Sequence, residues 1–226
     1  MEPLEEVCLG AEQHDVGMAA WDLTPGYNPD TGQPQSFMEM PITVNVELWR
    51  AGPRRLLRQS RYAALMASLH GSRLYNRVDL AARPEAQADL IRTFLQEQRD
   101  FQDELLASLR ADPATAPAAT EEIVARNSRL VWTWDTLSLG ICLDWAPFTA
   151  TRVPTASDPV DVDVTRTDSP PRLILEPWPF GADAVTIRCE GQRLTRRAES
   201  PEAMQDALEK ASWETLEFHL TAPPPA

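Results

Sequence analysis

Apolar residues recur at helical spacing through the first two thirds of the chain. In the first such stretch, at about 3–21, Val7, Ala11, Met18 and Trp21 are separated by four, seven and three residues. This spacing places side chains on one face of an α-helix, and the early glutamates favour its N-terminal end. The same pattern predicts four more helices, at about 42–59 with a break or kink near Gly52-Pro53, at 61–77, at 84–110 and at 120–143.

No regular period runs between the first two predicted helices. Residues 22–41 contain four prolines, among them Pro25, Pro29 and Pro34, together with two glycines, and this composition excludes a continuous helix or a central strand. Loops of this length in compact domains are commonly lids or binding loops. We therefore predict a long loop, and its apolar side chains at positions 27, 37, 38 and 40 indicate that it packs onto other residues.

The composition changes after Pro147. Residues 148–172 are rich in Pro, Thr, Asp and Val and have no helical period. Alternating positions further on predict strands at about 172–176, 184–189 and 213–221, with a short helix at 201–211. We predict a mainly α fold with two parts, a helical domain at 1–147 and a small β-rich extension at 148–226 that packs on the helical domain.

The charge of the chain excludes some partners and draws attention to one region. The 226 residues carry a formal net charge of −13. Such a chain lacks the general positive field that attracts nucleic acids or anionic membranes, so we expect neither partner. Residues 1–49 contain nine acids and no base, whereas residues 50–77 contain seven arginines and no acid. A small anion would therefore find one locally favourable region.

No segment has the features of a membrane span or a secretory signal. No stretch approaches 18 consecutive apolar residues, and the N-terminal segment is acidic. Cys8, Cys142 and Cys189 are odd in number and far apart, so they predict neither a disulfide framework nor a zinc-finger spacing. We expect a cytoplasmic protein in a reducing compartment.

Histidines and aspartates of the predicted helices are the candidate functional residues. His14 is followed directly by Asp15, and Asp22 lies seven residues further on. Seven residues are nearly two helical turns, so the two carboxylates would share a face if the first helix extends that far. His70 lies in the third predicted helix and Asp135 in the fifth, within an apolar segment. An ionised carboxylate there is costly unless it is paired, hydrogen-bonded or bound to a metal.

This set of residues allows two interpretations. Imidazole and carboxylate groups are ligands that Mn²⁺, Fe²⁺ and Zn²⁺ accept, which favours a divalent metal site. A buried, hydrogen-bonded His–Asp pair that only stabilises the core is the alternative. The candidate residues are the metal ligands His14, Asp15, His70 and Asp135, Asp22 for proton transfer, and Ser138 as a substrate contact. The third histidine, His219, receives no role, and the tryptophans are interpreted as core residues.

An arginine-rich segment could bind an anion. Arg50, Arg54, Arg58 and Arg61 follow one another at intervals of four, four and three residues, which gives one helical stripe if the helix continues past Gly52-Pro53. Guanidinium groups bind phosphate or carboxylate through two parallel hydrogen bonds, so Arg54, Arg58 and Arg61 are candidate substrate contacts. Alternatively, the stripe is a solvated or salt-bridged surface that faces the acidic N-terminal segment.

The run HDVGM at 14–18 resembles the helix motif of the HD-domain superfamily of metal-dependent phosphohydrolases. In that superfamily a helical bundle binds a divalent metal through a histidine, an adjacent His-Asp pair and a distant aspartate. The resemblance implies a five-helix HD-like bundle in which Asp135 takes the place of the distant aspartate. No histidine precedes His14, and His70 follows the pair instead.

A longer resemblance extends over almost the whole chain. Six blocks in one order resemble a bacterial domain-of-unknown-function family, number 3891: AEQHDVGMAAWD, GQPQSFMEMP, SLHGSRLY, FLQEQRDFQ, WTWDTLSLGICL and EPWPF. Each block alone is weak evidence, whereas their combination in this order is specific. This resemblance implies a common fold and a candidate site, and it implies no activity.

Two functional hypotheses follow from these observations. The first is an HD-like metal-dependent hydrolase of a small anionic substrate, for example a phosphorylated one. The second is a non-catalytic protein that binds a small molecule or regulates a partner, in which the His/Asp cluster is structural. A homodimer is left open under both hypotheses.

Overall fold

The computed structural model describes residues 2–168 and 171–224. The chain divides into two compact units. The first, called the helical unit, comprises Met1–Asn28 and Pro34–Val131. The second, called the sheet unit, comprises Pro29–Gln33 and Trp132–Ala226.

Helices build the first unit, and four of the five predicted helices lie close to their predicted bounds. Ser60 begins one of them as an N-cap, because its Oγ accepts a hydrogen bond from the backbone N–H of Ala63 at 3.2 Å. The helix predicted to break or kink near Gly52-Pro53 does not break there and continues through both residues. The helices are α1 Leu4–Glu12, α2 Ala19–Leu23, α3 Ile42–Leu56, α4 Arg61–Tyr75, α5 Glu85–Ala111 and α6 Glu121–Cys142, of which α6 extends into the sheet unit.

The expectation of one helix from about 3 to 21 is wrong. α1 ends at Glu12, and a short 3₁₀ turn at Val16–Met18 precedes α2. Gly17 explains the close approach of this turn to α3, because a Cβ atom there would lie 2.1 Å from the carbonyl oxygen of Leu48. Asp15 and Asp22 therefore do not share a helix face.

The predicted long loop contains a short hairpin. Its strands are β1 Tyr27–Asn28 and β2 Gln33–Pro34. Met40 is buried as expected, whereas 71% of Met38 is exposed. The tip of the hairpin, Pro29–Gln33, lies within the sheet unit, where the guanidinium of Arg197 donates to the carbonyl oxygen of Pro29 at 2.9 Å.

The core of the helical unit combines apolar packing with a buried polar network. Ser68 and Ser72 on α4 face Gln98 and Gln102 on α5, and all four side chains are buried. The amide of Gln102 donates to both serine hydroxyls at 2.9 Å, and the hydroxyl of Ser68 donates to Gln98 at 2.8 Å. Because these partners satisfy one another, the network joins α4 to α5 at a fixed register.

A five-stranded sheet builds most of the second unit. Its strands are β3 Phe148–Val153, β4 Val160–Asp168, β5 Pro171–Glu176, β6 Ala184–Gln192 and β7 Trp213–Thr221. Their spatial order is β3-β4-β5-β7-β6, and neighbouring strands are antiparallel except for the parallel pair of β5 and β7. An apolar cluster that includes Val164, Leu175 and Leu220 forms its core, and Ile141 of α6 belongs to the same cluster. Helix α7 Pro201–Lys210 lies between β6 and β7 in the chain.

The predicted fold class, a mainly α, five-helix HD-like bundle with a small β-rich extension, is wrong. The described chain is 51% helix and 19% strand, and the sheet has five strands. No strand is predicted at β3 or β4, because only the absence of a helical period was inferred for the Pro-, Thr- and Asp-rich residues 148–172. The run VDVDV at the start of β4 alternates apolar and acidic residues, and its valines Val162 and Val164 are buried. Period-two alternation was therefore the signal that could have identified β4.

No helix in the described part of the chain is long and apolar enough to cross a membrane.

Candidate metal centre

His14 lies in the turn that follows α1. Its Nδ1 lies 2.8 Å from the carbonyl oxygen of Ala11 and donates to it, because a carbonyl oxygen can only accept. A neutral imidazole with a proton on Nδ1 carries its lone pair on Nε2. Metal-binding histidines usually show this arrangement, in which one ring nitrogen donates to a carbonyl and the other binds the ion.

His70 lies on α4, faces His14 and is only 2% exposed. The two imidazole centroids are 4.5 Å apart, with 56° between the ring planes. Trp49 of α3 packs on both rings, with its centroid 5.7 Å from that of His70 and 6.5 Å from that of His14. The indole plane lies about parallel to each imidazole, at 30° and 28°. Trp49 therefore forms an aromatic wall that limits rotation of both imidazoles.

Gly71 permits this contact between α3 and α4. A Cβ atom at this position would lie 3.0 Å from Cε3 of Trp49, which is closer than ordinary van der Waals contact. The residue directly after His70 therefore has to be small for the indole to keep its position.

Asp135 of α6 adds a carboxylate to the two imidazoles. One ligand atom from each of His14, His70 and Asp135 lies within 4.8 Å of the other two. Asp135 is half-buried, as is His14. The structure thus brings together three of the four residues that were predicted as metal ligands, and their binding of a metal stays a prediction.

The chemistry and spacing of this group fit a divalent cation. Two imidazole nitrogens with one carboxylate oxygen form a donor set that suits Zn²⁺, Fe²⁺ or Mn²⁺. Bonds of roughly 2.1 Å to one ion place opposite ligand atoms about 4.2 Å apart. The upper limit of 4.8 Å exceeds this distance only slightly. Side-chain shifts of roughly half an ångström would therefore bring all three atoms into bonding range.

The remaining predicted carboxylates lie outside this group. Asp15 is exposed at the start of the 3₁₀ turn, and Asp22 is exposed on α2. Partial desolvation of the Asp22 carboxyl, and secondly the negative charge of Asp15, raise the pKa of Asp22. The two carboxylates are therefore electrostatic neighbours although no single helix joins them. Ser138 is exposed, and its hydroxyl donates to the backbone carbonyl of Asp135 at 3.1 Å.

Two of the three predicted anion-binding arginines contact α5. The guanidinium of Arg54 lies 5.0 Å from the centroid of the Phe101 ring, and Arg61 donates at 2.8 Å to the hydroxyl of Ser108 and to the carboxylate of Asp112, which directly follows α5. The hydrogen bond from Arg61 is the main reason that the pKa of Asp112 is lowered. Arg58 is exposed in the turn after α3. A continuous helical stripe is not formed, because α3 ends at Leu56 and α4 begins at Arg61.

Sequence reasoning missed the part that Trp49 and Gly71 play in this site. Trp49 was interpreted as a core residue, and its burial agrees with that interpretation. No spacing in the sequence links residue 49 to His14 or His70, because the contact depends on how α3 crosses α4. The pair of a tryptophan on one predicted helix and a glycine on the next was the only available signal.

Comparison with known proteins identifies a family. The family described as "Protein of unknown function (DUF3891)" matches residues 1–196, as the order of the sequence blocks predicted. The resemblance to HD-domain phosphohydrolases is not confirmed. Searches among curated proteins and among solved structures find no match. Because the matched residues are most of the chain, the protein belongs to the DUF3891 family of proteins of unknown function.

Proposed function

We propose that this protein is a metal-dependent hydrolase of a small anionic substrate, with His14, His70 and Asp135 as the metal ligands. The observation that carries the proposal is the spacing of their ligand atoms, which all lie within 4.8 Å of one another. Residues so far apart in sequence rarely converge in this way unless the fold requires the cluster or a ligand uses it.

The surroundings of the two histidines support a ligand role. The hydrogen bond to Ala11 sets the tautomer of His14 and directs its Nε2 lone pair away from the carbonyl. The indole of Trp49 holds His70 in one orientation. A divalent cation held there would act as a Lewis acid, which would polarise a phosphoryl or carbonyl oxygen and lower the pKa of a bound water.

Asp22 is the proposed proton-transfer group. Its raised pKa means that the carboxyl keeps its proton to a higher pH than an ordinary aspartate does. Substrate contacts by Arg54, Arg58, Arg61 and Ser138 stay predictions, and the contacts of Arg54 and Arg61 with α5 give them less support than the histidines have.

A non-catalytic role is the second candidate. The near-complete burial of His70 and its stacking on Trp49 are also what a structural cluster in a helical core shows. In that case the His/Asp group would specify helix packing, or hold a small molecule, without any reaction.

Metal binding and hydrolysis separate the two candidates. Metal-free protein is titrated with Zn²⁺, Mn²⁺ or anaerobic Fe²⁺ while the unfolding temperature is recorded. At a metal concentration 100-fold above Kd, binding stabilises the folded state by about 2.7 kcal/mol. We expect one of these ions to produce this shift, and we expect His70→Gln and Asp135→Asn to abolish it.

Matched controls keep this test specific. His219 is an exposed histidine of β7 that hydrogen-bonds to Thr186, so His219→Gln should respond to metal like the wild type. Asp103 is exposed on α5, and Asp103→Asn should do the same. No metal-induced shift in the wild type would contradict the metal site. Metal binding without hydrolysis of phosphate or carboxylate esters would favour the non-catalytic candidate.

The cysteines and the net charge support proposals about the location and the partners of the protein. Cys8, Cys142 and Cys189 are free thiols, which is compatible with the proposed cytoplasmic location. The net charge of −13 supports the proposal that neither nucleic acid nor membrane is a partner. A homodimer stays open.

A further inference from the structure

His14 differs from the other two proposed metal ligands in the kind of backbone that carries it. His70 and Asp135 lie within α4 and α6, where helical hydrogen bonds fix the chain on both sides of each residue. His14 lies between α1 and α2 in residues 13–18, which we name the His14 turn. Contacts from other elements therefore have to set the position of its imidazole, and α3 supplies several of them.

Two glycines allow the His14 turn to lie directly against α3. A Cβ atom at Gly17 would lie 2.1 Å from the carbonyl oxygen of Leu48 and 3.2 Å from Cα of Gly52. In the opposite direction, a Cβ atom at Gly52 would lie 3.2 Å from the backbone nitrogen of Gly17. Both glycines are buried. A side chain at either residue would therefore move the turn and α3 apart.

Two side chains hold the His14 turn on either side of its histidine. Nη1 of Arg55 donates to the carbonyl oxygen of Val16 at 3.3 Å, and Nε2 of Gln59 donates to Oε1 of Gln13 at 3.1 Å. Gln13 directly precedes His14, and Val16 follows it by two residues. Arg55 belongs to α3, and Gln59 lies in the turn after that helix. The two hydrogen bonds therefore restrain the chain before and after His14.

One face of α3 makes the contacts with the backbone of the His14 turn. Leu48, Gly52 and Arg55 are separated by four and three residues, which places them on one side of the helix. Trp49, the neighbour of Leu48 in sequence, packs on the imidazole of His14, with 6.5 Å between the ring centroids. α3 therefore contacts both the turn and the ring that the turn carries.

We propose that Gly52 and Arg55 are positioning residues, which hold the imidazole of His14 at the metal centre. Bond lengths in metal sites vary by only about 0.2 Å, so an ion that three residues bind depends on the place of each of them. His14 is the ligand whose place depends most on contacts between elements. The inference rests on the proposed function, because it names residues that position a ligand of the proposed metal site.

The first test observes His14 in the metal-free protein by NMR spectroscopy, and His14→Gln identifies the signals of its ring. In the wild type we expect NOE cross-peaks from His14 to the rings of His70 and Trp49, whose centroids lie 4.5 and 6.5 Å away. Gly52→Ala and Arg55→Ala should weaken these cross-peaks and shift the ring signals of His14, because the turn moves relative to α3.

The second test measures Zn²⁺ affinity by calorimetry. Gly52→Ala and Arg55→Ala should each weaken binding roughly 10- to 100-fold, the range found for residues that orient a metal ligand. The unfolding temperature of metal-free Gly52→Ala should stay close to the wild-type value, because the better helix propensity of alanine offsets the crowding. Lower affinity at unchanged stability separates a positioning role from a general loss of structure.

Controls and contrary outcomes complete these tests. Arg55→Lys keeps a hydrogen-bond donor and should retain most of the affinity. Arg99 is exposed on α5, so Arg99→Ala removes the same charge and should leave both measurements unchanged. Wild-type cross-peaks in both Gly52→Ala and Arg55→Ala would overturn the proposal, as would wild-type Zn²⁺ affinity in both. A wild type that binds no metal would contradict the metal site, whereas the cross-peaks of the metal-free variants would still decide whether Gly52 and Arg55 position His14.

Discussion

The two units of this protein bury different kinds of side chain. Buried polar residues of the helical unit are Ser68, His70, Ser72, Gln98, Gln102 and Asn127, whereas Thr133 is the only one among the described residues of the sheet unit. The sheet unit has an aliphatic core that includes Val164 and Leu175. Buried polar groups cost free energy unless they are hydrogen-bonded. Their concentration in the helical unit indicates that hydrogen bonds there determine which side chains pack together, in addition to stabilising the fold.

The largest expected effect is on the stability of the sheet unit. Leu175 is 1% exposed in its core, and Leu175→Ala should lower the free energy of unfolding by about 2–5 kcal/mol, because it leaves a cavity. Denaturant unfolding measures this loss. A loss of less than about 1 kcal/mol would contradict the assignment of Leu175 to this core.

A polar substitution in the helical unit should have the next largest effect. Gln102→Leu removes the donor that serves Ser68 and Ser72, and we expect a loss of about 1–3 kcal/mol because each hydroxyl loses a buried hydrogen bond. Gln96 is exposed on the same helix, so Gln96→Leu serves as the control with a change within about 0.5 kcal/mol. Equal losses in the two variants would show that the buried network contributes nothing specific.

Crowding of the aromatic wall should give a smaller loss. Gly71→Ala places a methyl group 3.0 Å from the indole of Trp49, which costs about 1–3 kcal/mol, while the better helix propensity of alanine returns about 0.5–1 kcal/mol. We expect a net loss of stability together with weaker metal binding, because Trp49 would shift against His70.

Gly181 offers a matched control for that substitution. No atom lies within 4 Å of a Cβ built at Gly181, so Gly181→Ala should leave metal affinity unchanged. Unchanged metal affinity in Gly71→Ala would show that Trp49 does not position the histidines.

The smallest predicted effect is a pH dependence at Asp22. Its folded pKa is raised above the ordinary 3.8, so its contribution to stability is complete below that pH and is lost as the pH rises through the raised pKa. Asp22→Asn should therefore raise the unfolding temperature slightly at neutral pH, and the difference should disappear in acid.

Asp112 serves as a comparison, because its pKa is shifted in the opposite direction to that of Asp22. Its pKa is lowered, mainly by the hydrogen bond from Arg61, so its contribution is present at neutral pH and is lost as the pH falls through the lowered pKa. Asp112→Asn should lower the unfolding temperature at neutral pH. The same sign of change in Asp22→Asn and Asp112→Asn would contradict the assigned electrostatic environments.

Helices could be predicted from sequence because their signal is local. The buried residues of α5, such as Ile91, Phe94 and Leu105, follow the 3.6-residue period, and Pro84 marks its start. The interruption after α1 could not be predicted in this way. It depends on the contact of Gly17 with Leu48, which is more than 30 residues away in the sequence.

Strand prediction failed where composition masked a clear pattern. Val160, Val162 and Val164 alternate with aspartates, yet only the absence of a helical period was inferred for the surrounding Pro- and Thr-rich residues. The parallel pairing of β5 with β7 could not be predicted, because no local feature specifies which strand lies beside another.

The types of residue that form the candidate site could be predicted from the sequence, whereas only some of the individual residues could be identified. His14, His70 and Asp135 were singled out by the chemistry of their side chains within apolar helices. Asp15 was included because it follows His14, but a turn directs it to the surface. Trp49 was missed, since its place depends on how α3 crosses α4.

The proposed hydrolase function depends on the binding of one divalent cation by His14, His70 and Asp135. The most direct test is the number of Zn²⁺ or Mn²⁺ ions bound per chain at equilibrium, measured by dialysis and elemental analysis for the wild type, His70→Gln and His219→Gln. We predict one ion in the wild type and in His219→Gln. His70→Gln should lose more affinity than the roughly 10- to 100-fold that outer-shell changes cost. Equal occupancy in all three proteins, or no stoichiometric ion in the wild type, would contradict the claim.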